Sequence, residues 1–188
     1  MIQTYNGDNI SHLFSKEFTK KLKQYSEKHG ATLFMTLMAG VKSLLYRYTG
    51  QQDIIVGTPI AGREHPDLEN QIGLYLNTLA IRTRLADGHN TFESVLAKEK
   101  ETLLSAYEHQ LYSFDELVTK LNMKRDPSRS VLFDVTVGFH NQSQLHLGNT
   151  SNDIEGLQVE GYDYHRKTYQ FDKSYTFAEE AGQLGLTI

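Results

Sequence analysis

Eight histidines are the first candidates for acid–base or metal chemistry in this chain. No two are adjacent, none is followed by an aspartate four residues on, and there is no HExxH zinc motif. They do not cluster with carboxylates at metal-ligand spacing, so no metal site is expected. His109 and His140 stand out by position, one closing a helical pattern and the other an alternating run. An imidazole titrates near neutrality and can serve as a general base. Both are more simply read as hydrogen-bonded structural residues. Glu179 and Glu180 are neighbours, so in a strand they point to opposite faces and cannot act as a close carboxylate pair. No GxSxG elbow and no glycine-rich phosphate loop is present. The chain has no cysteine, which excludes disulfides, thiolate metal sites and a cysteine nucleophile. Taken one by one, the residues supply no catalytic centre.

The rest of the composition is that of a single globular domain over residues 1–188. Hydrophobic residues make up 39% and charged residues 22%, enough to build a core. A net charge of −4 and scattered basic residues argue against nucleic acid, whose phosphates need a Lys/Arg surplus on one face. The densest basic cluster, Lys20, Lys21 and Lys23, reads as a solvated helix face. No apolar run approaches the roughly 20 residues that cross a bilayer. Residues Met1–Ile10 are polar, with no signal-peptide core, and the expected location is cytoplasmic.

Element signals are clear over most of the chain. Residues 10–14 read as a short extended segment. Ser15 caps a helix with Phe14, Phe18, Leu22 and Tyr25 on one face, and Gly30 stops it. Thr32 caps a second helix whose stripe is Phe34, Leu37, Met38, Val41, Leu44, Leu45 and Tyr48. Leu33 and Met35 fall outside the stripe, so this helix is expected to be buried on more than one side, and Gly50 ends it. Residues 53–60 and 75–85 read as strands, the second with Leu76, Thr78, Ala80 and Ile81 as core positions. Asn90 and Glu93 have capping-box spacing before a helix over 91–109, and Ser113 and Glu116 repeat it before a helix over 114–121. Residues 131–140 alternate as a strand, 142–156 form a polar loop or hairpin, and 157–162, 170–177 and 184–188 are further strands. This order predicts an α/β fold in two layers, with a mixed sheet and helices packed on one face.

Several stretches then carry a resemblance. Thr32–Ala39 with Leu45–Arg63 is similar to the helix–strand–loop segment of condensation domains in nonribosomal peptide synthetases. Ile72–Arg82 resembles the family's IGxFxNTLxxR, His109–Leu117 its HQxxPFE, and Arg125–Phe133 its RDxSRxPLF; Phe171–Phe177 is a weaker match to a KFDLTL-like strand. The motifs occur in family order and together span most of the chain. Ser113 replaces the usual Pro, Asp115 the usual Glu and Val131 a common Pro. Lys173 stands where the family has an apolar residue, which suggests an edge or wetter strand. The family's HHxxxDG signature is missing. The resemblance therefore implies the C-terminal subdomain of a condensation domain, with the N-terminal subdomain that carries HHxxxDG absent.

What the family chemistry implies follows from that. Two chloramphenicol-acetyltransferase-like lobes face each other across a tunnel. Peptidyl carrier proteins deliver aminoacyl and peptidyl thioesters on phosphopantetheine arms, and an amide forms. No residue of this chain is expected to be catalytic, no cofactor is bound directly, and the lobe alone is expected to be inactive. Arg63 would bridge to the Asp of HHxxxDG in the partner lobe, a bidentate guanidinium–carboxylate pair; the other reading is a solvent-facing loop Arg. Asn77 and Thr78 would line the tunnel, Asn77 alternatively being satisfied inside its own lobe, and Asn141 would line it at a strand end. His109, Asp115, Arg125, Asp126, Ser128 and Arg129 are expected to be structural, as helix termini or a local ion-pair and capping cluster. Residues 142–156 would belong to the latch that reaches the other lobe, and would be mobile without it. The partners implied are the N-terminal subdomain, carrier proteins and adjacent synthetase domains. A non-catalytic module that binds carrier proteins, or self-associates through its orphan face, is the alternative.

Overall fold

Hydroxyl caps set the helices as the spacing predicts. Ser15 opens α1 (Lys16–Lys28) by accepting from the Phe18 amide, and Thr32 opens α2 (Leu33–Thr49) by accepting from the Met35 amide. Gly50, at φ 68°, closes α2 in the left-handed region that glycine tolerates. The structure is a computed structural model and describes residues 4–63, 65–68, 70–85, 91–123, 126, 128–141 and 167–188, with the backbone alone at Asn141. Two expectations need correction. The cap of α3 (Phe92–Glu108) is Thr91, which accepts from the Ser94 amide. The Ser113 side chain does not cap α4 (Phe114–Leu121).

The described strands are β1 (Ser11–Leu13), β2 (Asp53–Ile60), β3 (Asn77–Arg84), β4 (Val135–Asn141), β5 (Lys173–Glu180) and β6 (Gln183–Thr187). They form one mixed sheet in the order β1-β6-β5-β4-β2-β3. β4 runs parallel to both β2 and β5, and the remaining pairs are antiparallel. β5 is interior, so Lys173 does not mark an edge strand; it sits exposed at the strand's first position. The strand expected at 157–162, the loop over 142–156 and Asn90 lie outside the described residues.

Helices α1, α2 and α3 cover one face of the sheet. Register places Ile54 beside Thr83, Val56 beside Ile81 and Thr58 beside Leu79 on that face; Val137 beside Tyr175 and Phe139 beside Phe177 continue it. The β3 core positions are therefore Leu79, Ile81, Thr83 and the following Leu85, whereas Leu76 is exposed. Alternation was the right signal, but the run 75–85 does not reveal its own phase, and a shift by one residue exchanges the faces. In α2 the buried set is Met35, Leu37, Met38, Ala39 and Val41, with Lys42 among them; Leu44 and Tyr48 are exposed. Each fully buried Leu, Ile or Val contributes about 1.5–3 kcal/mol.

Polar groups dock the first helix. The buried Thr19 hydroxyl donates to Ser15 O at 3.0 Å and accepts from the Leu184 amide at 3.0 Å, tying α1 to β6. Ser26 and Thr36 hydroxyls meet at 2.7 Å between α1 and α2. Phe18, expected on the buried stripe, is instead partly exposed and stacks on Phe14.

On the opposite sheet face, Asp53 accepts from Arg82 Nε at 2.8 Å and Nη2 at 2.6 Å, and from Arg84 Nε at 3.1 Å. The Arg82 hydrogen bonds hold its carboxyl down at about 2. The folded chain thus binds fewer protons than the unfolded one between that value and the ordinary 3.8. The contribution is complete above the unfolded value and is lost as pH falls through about 2. Asp53→Asn should flatten the acid limb of stability in urea melts taken from about pH 5 downward.

Candidate functional site

Strand direction brings distant segments to one end of the sheet. β2, β4 and β5 are parallel, so Ile60, Asn141 and Glu180 end together, beside Asn77 at the start of antiparallel β3. In open α/β sheets, ligands sit outside the carboxyl ends of strands. Arg63, Thr78 and His140 all fall in this region.

The sheet face away from the helices carries no Asp, Glu, Lys or Arg there. Its positions are Gly57, Pro59, Thr78, Thr136, Gly138, His140, Ser174 and Thr176, by register. A concavity of about 340 Å³ opens over this surface, lined by Thr78, Thr136, His140, Phe171, Ser174 and Thr176 among others. Thr136 Oγ1 donates to Ser174 Oγ at 2.9 Å. Hydroxyls of this kind can donate to and accept from amides without imposing a charge. Gly57 has no room for a side chain: a β-carbon there would lie within the Phe133 ring. Phe133 is buried and packs at a tilt against Phe114 and Phe171, at 5.5 and 5.6 Å between centroids.

Arg63 is held by its own loop. Its guanidinium donates to the carbonyls of Leu68 and of Gly73, the latter at 3.2 Å, and lies 4.4 Å from the Tyr75 ring centroid. Gly62, at φ 62°, lets the chain pass against the Tyr75 carbonyl, where a β-carbon would collide. Arg63 is thus partly buried and preorganised. The same segment exposes Ile72, Leu74 and Leu76, and the α3–α4 turn exposes Leu111; Ile72 is fully exposed and Leu111 78% exposed.

Asn77 works inside the chain. Its Nδ2 donates to Gln110 O at 2.8 Å and Tyr112 O at 2.9 Å. Its Oδ1 accepts from the Thr78 amide at 2.9 Å and from the Phe114 amide at 3.3 Å. It therefore supplies the α4 cap that Ser113 does not, and pins the α3–α4 turn to β3. That role was not legible in the sequence, because donor and acceptors lie more than thirty residues apart. Asn77→Ala should cost about 2 kcal/mol, roughly 1 kcal/mol per net hydrogen bond with partial recovery by water. Urea melts measure the loss, and hydrogen exchange at the Phe114 amide should accelerate.

The remaining candidates have local partners. His109 is the C-cap of α3 and its Nδ1–H donates to Ser105 O at 2.9 Å. Asp115 lies in the first turn of α4, where negative charge suits the helix dipole. Asp126 accepts from the Ser128 amide at 2.9 Å and hydroxyl at 2.7 Å, which lowers its carboxyl pKa. Arg129 pairs with Asp134. Asn141 ends β4, and Arg125 lies outside the described residues. No group of three or more His, Asp or Glu able to hold a metal occurs among the described residues. No described helix is long and apolar enough to cross a membrane.

The six-stranded mixed sheet with helices packed on one face is a chloramphenicol-acetyltransferase-like α/β arrangement. Among solved structures, the X-domain from teicoplanin biosynthesis matches over 99% of this chain and 42% of its own, at TM-score 0.87 and 20% identity. The first condensation domain of the CDA synthetase matches over 97% of this chain and 40% of its own, at TM-score 0.70 and 18% identity. Residues 2–188 match the family model for the condensation domain. The chain belongs to the condensation-domain family of nonribosomal peptide synthetases. It is 46% identical over 181 residues to bacitracin synthase 2 of Bacillus licheniformis, covering 96% of this chain and 7% of that protein. It is 40% identical over 183 residues to tyrocidine synthase 3 of Brevibacillus parabrevis, covering 97% and 3%. The chain thus spans a small part of the relatives it matches.

Proposed function

We propose that this chain is the C-terminal lobe of a condensation domain and forms one wall of a tunnel in which amide bonds are made between carrier-protein-bound thioesters. The observation that carries the reading is the open, hydroxyl-lined sheet face at the strands' carboxyl ends, in a chain of this family whose sequence lacks HHxxxDG. An acceptor amine attacks the donor thioester carbonyl; the C–N bond forms, the C–S bond breaks, and the amine proton leaves with the released thiol. The partner lobe supplies the histidine that holds or takes that proton. Here, Thr78, Thr136 and Ser174 offer hydroxyls to the amides of a phosphopantetheine arm, and that arm fits a groove whose described lining has no Asp, Glu, Lys or Arg to desolvate. Arg63, already oriented by Leu68, Gly73 and Tyr75, turns toward the aspartate of the partner lobe's HHxxxDG loop and holds that loop in register.

The exposed apolar side chains Ile72, Leu74, Leu76 and Leu111 support a surface that another lobe covers. Adjacent synthetase domains, carrier proteins and a cytoplasmic location belong to the same reading. The test joins this chain to an HHxxxDG lobe from a relative and follows amide formation between two loaded carrier proteins by mass spectrometry. Product is expected from the joined lobes and none from the chain alone. Arg63→Ala should lower the rate by at least about tenfold, the loss of a charge-assisted pair. Joined lobes that fold yet form no amide overturn the proposal. The same apolar surface favours a second reading, self-association of a non-catalytic module. Light scattering across concentration decides it: a strict monomer rejects this reading.

A further inference from the structure

A crevice of about 540 Å³ opens between α2, the end of β3 and the start of α3, lined by Ser43, Tyr46, Arg47, Leu85, Phe92 and Val95 with Gly50. It lies on the helix-covered side, at the end of the sheet opposite Thr78, and is therefore separate from the proposed tunnel wall. Its floor is apolar, since Leu85 and Val95 are buried. Its position follows from the sequence spacing around a buried ion pair. Tyr46 is one helical turn beyond Lys42, Val95 one turn before Glu99, and Leu85 two residues beyond Thr83 on the same strand face. The crevice is the outward continuation of the layer that holds that pair.

Two polar features of the crevice are unanswered. Ser43 Oγ is buried and has no hydrogen-bond partner. Leaving a buried hydroxyl unpaired is costly, and the great majority find a partner. Arg47, at the rim, forms no ion pair among the described residues, whereas Arg82, Arg84 and Arg129 all do. A guanidinium and a hydroxyl four residues apart on one helix face can be met together by a single carboxylate, which accepts from both. An apolar body behind that carboxylate would cover Leu85, Phe92 and Val95. The volume lies in the range of about 300–1,000 Å³ usual for small-molecule pockets.

From these features we infer that the crevice is a binding site for a small amphipathic carboxylate, its anionic head on Arg47 and Ser43 and its hydrocarbon or aryl body on the Leu85–Phe92–Val95 floor. The probe is 3-phenylpropionate, with 3-phenylpropionamide as the neutral comparison, followed by amide chemical-shift titration of this chain. Saturable perturbation centred on Ser43, Leu85 and Val95 is expected, with affinity about tenfold weaker for the amide and for Arg47→Gln. Ser43→Ala should weaken binding several-fold, and Arg84→Gln should leave it unchanged. Arg47 is exposed, so an unaltered thermal melt shows that Arg47→Gln is folded. Absence of saturation at millimolar probe, equal binding of acid and amide, or an unaffected Arg47→Gln each overturns the inference. None of these outcomes depends on amide-forming activity.

Discussion

Replacing Lys42 by alanine will cost about 3–5 kcal/mol of stability, the penalty for leaving a buried charge without its partner. Lys42 and Glu99 are both fully buried. Nζ donates to both Glu99 oxygens at 2.9 Å, to Thr83 Oγ1 at 2.8 Å and to Ile81 O at 3.0 Å. Thr83 Oγ1 in turn donates to Glu99 at 2.7 Å. Burial pushes the Lys42 ammonium below its ordinary pKa, and the Glu99 carboxylate opposes that. The network joins α2, α3 and β3, so its loss loosens two helix–sheet contacts at once. Glu99→Ala should be as damaging as Lys42→Ala. The double replacement Lys42→Met with Glu99→Leu removes both charges and restores apolar contact; it is expected to be neutral or stabilising by up to about 4 kcal/mol. Urea denaturation of the parent chain and these three variants measures each change. Single variants that each lose under 1 kcal/mol would show that the pair contributes only as an exposed one does.

Gly57→Val is the second large effect. Gly57 is interior to β2, paired with Ala80 on one side and Thr136 on the other. The Phe133 ring occupies the space a β-carbon needs, and that ring is itself pinned by Phe114 and Phe171. Either the strand or the ring has to move. Overpacking of this kind costs about 1–3 kcal/mol, and the added branch brings the value to the upper end. Intrinsic propensity runs the other way, because valine suits a strand better than glycine. Packing is expected to win. Combining Gly57→Val with Phe133→Ala should recover much of the loss, so that the pair is strongly non-additive in urea melts. Additive losses would mean that Phe133 is not what excludes a side chain at position 57.

Helix starts and stops were legible because capping is local: Ser15, Thr32 and Gly50 each act within a few residues. The limits of β2 and α4 were readable from turn and cap residues on either side. The α2 stripe was legible only in part. Lys42 lies at a position that looks polar, and its burial depends on a carboxylate fifty-seven residues away. Leu44 and Tyr48 continue the apolar spacing, yet no described element covers them. The motif residues were visible as motifs, while their partners were not. Of the two readings of Asn77, tunnel lining or satisfaction inside its own lobe, its hydrogen bonds fit the second, as a clamp on the α3–α4 turn, and Arg63 is held by carbonyls of its own loop.

By itself, the sequence determined the family, the two-layer α/β class and the absence of the HHxxxDG motif, because ordered motifs, periodicity and caps are properties of neighbouring residues. Tertiary structure alone decided the phase of β3, the central place of β5, the buried Lys42–Glu99 pair, the Phe133 ring over Gly57 and the gathering of Arg63, Thr78 and His140 at one sheet end. Each of these depends on strand order and on contacts between residues far apart in the chain, and no local pattern encodes either.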